Sequence, residues 1–129
     1  MSTTTTTPAA NTRTDVPINL VSVNTAPERA KRLIGILIED VKDRYNIRHA
    51  GNSDTIEGVK PLLLSIQPPP GILFCASMWT PDQQAQIQQI ARDTIPGIRT
   101  AAIPTGLQVD QGPDAVVQFL KGKIDEIMA

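Results

Sequence analysis

From Pro17 onward the chain alternates short apolar runs with stretches of helical periodicity, and no two-residue hairpin signal joins any pair of runs. This alternation constrains the fold more than any other feature. Strands without a tight turn between them need crossover connections, and a helical crossover makes its two strands parallel. The first run, Ile18-Asn19-Leu20-Val21-Ser22-Val23, predicts a strand, and Thr25-Ala26-Pro27-Glu28 has the form of a capped helix start. Residues 26–45 place Ala30, Leu33, Ile34, Leu37, Val41 and Tyr45 on one stripe. Ile36 and Ile38 widen that stripe, so the helix is expected to be well buried.

The pattern then repeats. Residues 47–50 predict a second strand, Gly51-Asn52-Ser53 a turn, and Asp54 with Glu57 a second capping pair. Ile56, Val59, Leu63 and Ile66 recur at helical spacing, with Pro61 inside them. Proline there means either a kink or a helix that begins at Pro61 after a looser turn over 54–60. Pro68-Pro69-Pro70-Gly71 stops the helix, and residues 72–77 form an apolar run suited to a central parallel strand. Thr80-Pro81-Asp82-Gln83 is the clearest helix start: cap, proline at the first position, acid at the second, Gln at the third. This third helix runs to about Ile95, with Ile87, Ile90, Ala91 and Thr94 inward and Gln83, Gln84, Gln86, Gln88 and Gln89 outward. Residues 98–103 predict a fourth strand and 104–112 a loop, and Val117, Leu120, Ile124 and Ile127 mark a last helix. Gly122 in that helix predicts close packing or fraying.

Four strand–helix units with right-handed crossovers leave few arrangements. The expected fold is α/β: a three-layer α/β/α sandwich on a four-stranded parallel sheet of order 2-1-3-4, flavodoxin-like or Rossmann-like. The 129 residues suffice for one such domain, and a hydrophobic content of 40% suffices for its core. Residues 17–129 are read as that domain. Residues 1–16, with five consecutive threonines and no apolar periodicity, are read as a disordered tail. No apolar run has the length of a signal peptide or a membrane span, so a cytoplasmic location is expected.

In open parallel sheets ligands sit beyond the carboxyl ends of the strands, where the strand order reverses. For order 2-1-3-4 that crevice lies between the first and third strands. Asn24, Thr25, Arg29, Asn52, Ser77, Trp79, Thr80 and Thr105 are therefore the candidate ligand-binding residues. Trp79, the single tryptophan, reads either as a stacking platform or interface anchor, or as a hydrophobic staple before the cap. His49 is the one side chain whose ordinary pKa lies near neutrality, and with Ser53 or Ser77 it is the weak catalytic candidate. No nucleophile-elbow glycine pattern surrounds either serine. Cys75 sits in the most apolar run and is expected to be buried and inert.

Composition removes several chemistries. One Cys and one His leave nothing for a disulfide framework, a thiolate zinc site or a multi-histidine centre, so no metal is expected. Twelve basic and 13 acidic residues, a net charge of −1, make no footprint for nucleic acid or an anionic membrane. The segment Val23-Asn24-Thr25-Ala26-Pro27-Glu28 matches neither a dinucleotide fingerprint nor a P-loop. Acids at the helix starts (Glu28, Asp54 with Glu57, Asp82, Asp114) are expected to occupy the donors a phosphate would use. No cofactor is therefore expected.

The leading functional expectation is a binding or interaction module holding a polar small molecule or a partner protein at the carboxyl edge of the sheet. The alternative is a small cofactor-independent hydrolase, isomerase or transferase using His49 with Ser53 or Ser77. Self-association is a third expectation, since the sheet leaves two open edges and the first helix is apolar over much of its circumference.

Overall fold

Alternation of apolar residues and crossover helices produces the expected sheet. In the computed structural model, which describes residues 16–128, the strands β1 (Ile18–Val23), β2 (Ile47–Ser53), β3 (Ile72–Cys75) and β4 (Arg99–Ala102) are all parallel, in the order β2-β1-β3-β4. The helices α1 (Pro27–Val41), α2 (Val59–Ser65), α3 (Pro81–Thr94), α4 (Leu107–Gln111) and α5 (Pro113–Met128) interleave with them. The tail read over residues 1–16 lies outside the described residues, except for exposed Val16.

Strand order decides which helix covers which face. The chain runs from β1 to β2 in one direction and then returns past β1 to β3 and β4, so right-handed crossovers put α1 on one face and α2 and α3 on the other. α5 packs beside α1, and α2 beside α3. Even positions of β1 point to the first face, where Leu20 meets Leu33, Leu37, Phe74, Leu120 and Ile124. Odd positions point to the second, where Val21 and Val23 meet Leu63, Leu73, Cys75 and Ile87. The result is a three-layer α/β/α sandwich of the flavodoxin-like or Rossmann-like kind. No helix among the described residues is long and apolar enough to cross a membrane.

Several local expectations are corrected. Gly51-Asn52-Ser53 is not a turn but the second half of β2. The pairing passes from Leu20 opposite His49 to Val21 opposite Gly51, so Ala50 is an extra residue, a β-bulge. Gly51 packs closely on α2: an added Cβ would lie 3.1 Å from Leu62 Cδ1, and that side chain would have to shift to admit it. Asp54 and Glu57 are exposed and cap nothing; α2 starts after Gly58 with no side-chain cap. Pro61 is the third residue of α2, where the backbone N–H has no intrahelical acceptor in any case, so it neither kinks nor opens the helix. Thr25 is not the cap of α1. That position is Ala26, whose N–H donates to Asn24 Oδ1 at 2.8 Å. The expected capping box at Thr80 is present in full, with Thr80 Oγ1 accepting from the Gln83 N–H and Gln83 Oε1 accepting from the Thr80 N–H. Part of the 104–112 loop is the short helix α4, entered and left through Gly106 (φ +88°) and Gly112 (φ +85°). Gly122 is exposed and a Cβ there would meet nothing within 4 Å, so close packing does not explain it.

Candidate functional site

The bulge at Ala50 sets the chemistry of the β1–β2 edge. In a regular strand, residues three apart face opposite sides of the sheet. The extra residue brings His49 and Asn52 to the same face, Asn52 opposite Ser22 and His49 opposite Leu20. Ser22 Oγ lies 2.8 Å from His49 Nε2 and 2.7 Å from Asn52 Oδ1, and Asn52 Nδ2 donates to the Asn24 carbonyl at 3.0 Å. The last contact fixes the orientation of the Asn52 amide. A carbonyl only accepts, so the Asn52 amide must turn its nitrogen to Asn24 and its oxygen to Ser22. Ser22 has one proton: given to Asn52, it leaves His49 Nε2–H to donate to Ser22; given to His49, it meets the Nε2 lone pair, so the tautomer of His49 sets the direction. The first arrangement is the reverse of a serine activated by a histidine base, and the second has its sense and leaves the other ring N–H for the Gly51 backbone.

Ser22 is buried, 5% exposed, under α1, and sequence reasoning missed it because it reads as an interior position of an apolar strand. The one available signal was its placement opposite the residues that follow His49, which requires the register. His49 itself is half-buried, and its pKa is lowered. Burial is the main cause, a backbone hydrogen bond with Gly51 opposes it, and the Lys31 charge adds to the lowering. The expected catalytic partners are engaged elsewhere. Ser53 Oγ donates to the Thr55 carbonyl at 2.6 Å, and Ser77 Oγ accepts from the Gln108 N–H at 3.4 Å. The structure brings neither into a pair with His49.

The crevice between β1 and β3 is built from the expected loops, but those loops satisfy one another. Trp79 is not a stacking platform: it is 8% exposed, sits in the α2/α3 core, and its Nε1–H donates to the Val23 carbonyl at 2.9 Å. It is not a simple staple either, since the fourth residue of α3, the usual staple partner, is Gln84. Thr105 Oγ1 donates to the Trp79 carbonyl at 2.9 Å, and Thr80 is consumed by its capping box. Thr25 Oγ1 contacts Met78 Sδ at 3.4 Å, and the Gly106 N–H donates to the Ser77 carbonyl at 3.0 Å. Gln84, expected on the outer face of α3, is buried and donates through Nε2 to the carbonyls of Ala76 (3.1 Å) and Ile103 (2.7 Å). It thereby ties the chain leaving β3 to the chain leaving β4.

Beneath the loops little space remains. One cavity of about 20 Å³ lies among Ser22, Asn24, Phe74 and Ile103, and another of about 20 Å³ lies among Asn24, Arg29, Ser77, Met78 and Gln108. Each has room for about one water, against the several hundred Å³ of a typical small-molecule pocket. At the rim the picture differs. Met78 is 42% exposed and Val109 on α4 is 88% exposed. Arg29 on α1 is exposed beside Met78 and forms no ion pair among the described residues. The carboxylates of the helix starts do not occupy all the helix donors, because α1 and α2 have no side-chain cap. Cys75 is fully buried, and burial pushes its thiol up to about 12.

No protein-family model matches the chain, and no curated protein matches it in sequence.

Proposed function

We propose that this chain is a small cytosolic binding module that holds a partner protein at the carboxyl edge of its sheet. One observation carries the reading: the crevice is filled by its own hydrogen bonds, whereas Met78 stands exposed on its rim beside Arg29, which has no ion partner among the described residues, and Val109 is exposed on the neighbouring α4. Exposed apolar side chains around an arginine are the composition of a protein-binding patch, in which the arginine meets a carboxylate of the partner. A polar small molecule fits less well, because it needs a cavity that forms only if α4 moves away from Ser77.

The test compares the tagged full chain with the double variant Arg29→Glu/Val109→Asp in pull-downs from cell extract. The expected result is a defined set of proteins retained by the original chain and lost with the variant, at unchanged far-UV circular dichroism. Identical recovery by both, or recovery by neither, overturns the proposal. A metabolite that raises the melting temperature of the original chain and not of Arg29→Glu would move the reading to the small molecule.

A second reading, a cofactor-independent hydrolase, isomerase or transferase, is favoured by the 2.8 Å contact of His49 with Ser22. It requires the neutral His49 tautomer in which Nε2 accepts from Ser22. Turnover of an activated ester that disappears with both His49→Gln and Ser22→Ala supports it, and turnover that survives either change refutes it.

A further inference from the structure

The sheet-facing stripe of α1 is buried as expected, but Ile36 is not part of it. It is 50% exposed, on the solvent side of the helix, beside a shallow open depression of about 550 Å³ lined by Lys31, Arg32, Gly35, Ile36, Glu39 and Asp40. Gly35 makes the depression: a Cβ added there would meet nothing within 4 Å. The charges around it are ordered along the helix, with cations at the amino-terminal end and acids at the carboxyl-terminal end. Glu39 contacts Lys42 on its own helix, and Asp40 lies 3.8 Å from Lys121 of α5. Lys31 and Arg32 form no ion pair among the described residues.

We propose that this face of α1 binds the same face of a second copy, antiparallel, about a twofold axis passing between Gly35 and Ile36. Arg32 and Glu39 lie about two turns, or about 10 Å, apart on one line of the helix, equally far from that axis. A twofold rotation there sets Arg32 of each copy against Glu39 of the other, giving two reciprocal ion pairs from one sequence. An arginine fork matches a carboxylate better than a lysine does, so Arg32 displaces the exposed Lys42 from Glu39. Beside the axis each Ile36 packs over the other copy's Gly35, which lacks a Cβ and lets the helices approach. No parallel arrangement does this, because it would set Arg32 against Arg32 and Glu39 against Glu39. A contact through one helix is smaller than a standard interface, so the dimer is weak and forms at high protein concentration.

Sedimentation equilibrium of the full chain, from about 10 µM to about 1 mM, tests the surface through a charge swap chosen for a small interface. The original chain is expected to form dimers. Arg32→Glu and Glu39→Arg, each facing like charges across the axis, weaken association at least about tenfold, and the double variant Arg32→Glu/Glu39→Arg restores it to within about threefold. Should either single variant lose helicity, Ile36→Lys supplies the same loss of dimer without touching the charge pattern. A chain that stays monomeric throughout, a dimer indifferent to Arg32→Glu, or a double variant that fails to recover would each overturn the proposal.

Discussion

Gln84→Met tests how much of this fold rests on one buried amide. Methionine has nearly the same length and volume as glutamine and a good helix propensity, so packing and the helix are preserved while both donors disappear. Gln84 Nε2 supplies hydrogen bonds of 3.1 and 2.7 Å to the Ala76 and Ile103 carbonyls, both on buried residues. A buried carbonyl deprived of its donor costs about 1–3 kcal/mol, and a small gain from burying the thioether offsets part of the loss. The net expectation is about 2–4 kcal/mol out of a total stability of order 5–15 kcal/mol, or roughly 10 °C in melting temperature. Urea unfolding followed by far-UV circular dichroism measures it. Gln86→Met, an exposed position of the same helix, serves as the reference and is expected within about 0.5 kcal/mol of the original chain. If Gln84→Met costs no more than Gln86→Met, water satisfies the two carbonyls and the amide is not what holds the strand ends together.

Two further outcomes follow from the titratable groups. Burial lowers the His49 pKa, so the folded chain binds fewer protons than the unfolded one just below the ordinary histidine value. The corresponding stability is present above about pH 6.5 and is lost as pH falls through the folded-state pKa. NMR titration of this single histidine should give a value below about 6.5, and the drop in urea midpoint between about pH 7.5 and pH 5.5 should shrink in His49→Gln; a pKa at or above 6.5 contradicts the burial argument. Cys75, fully buried with its thiol pushed up to about 12, should react with a thiol reagent only as fast as the chain opens, so that urea accelerates labelling in step with unfolding. Rapid labelling of the native protein would show an access route that the packing denies.

Much of the architecture is legible in local sequence because its causes are local. Apolar spacing separates α1 and α5 from the strands, and Thr80 with Gln83 specifies the start of α3 through atoms only three residues apart. Thr25 with Glu28, and Asp54 with Glu57, carry the same letters and cap nothing, since the backbone before α1 and α2 takes another path, led by the Asn24 turn and by Gly58. A capping motif states what side chains can do at a helix start, while the packing of neighbouring elements decides where the helix starts.

The sequence by itself determined the number and type of the strands and main helices and their order along the chain, and the right-handed crossover rule left β2-β1-β3-β4 among few sheets. Only the tertiary structure decided which polar residues lie inside and which space is left between the loops. Gln84 is outward by periodicity and inward in fact, because two carbonyls from separate strands converge on it. Trp79 is drawn inward by the Val23 carbonyl for the same reason. His49, Asn52 and Ser22 meet because a single extra residue at Ala50 changes the facing of everything after it in β2. Periodicity is a property of one segment. A hydrogen-bond partner, a register and a filled crevice each belong to at least two.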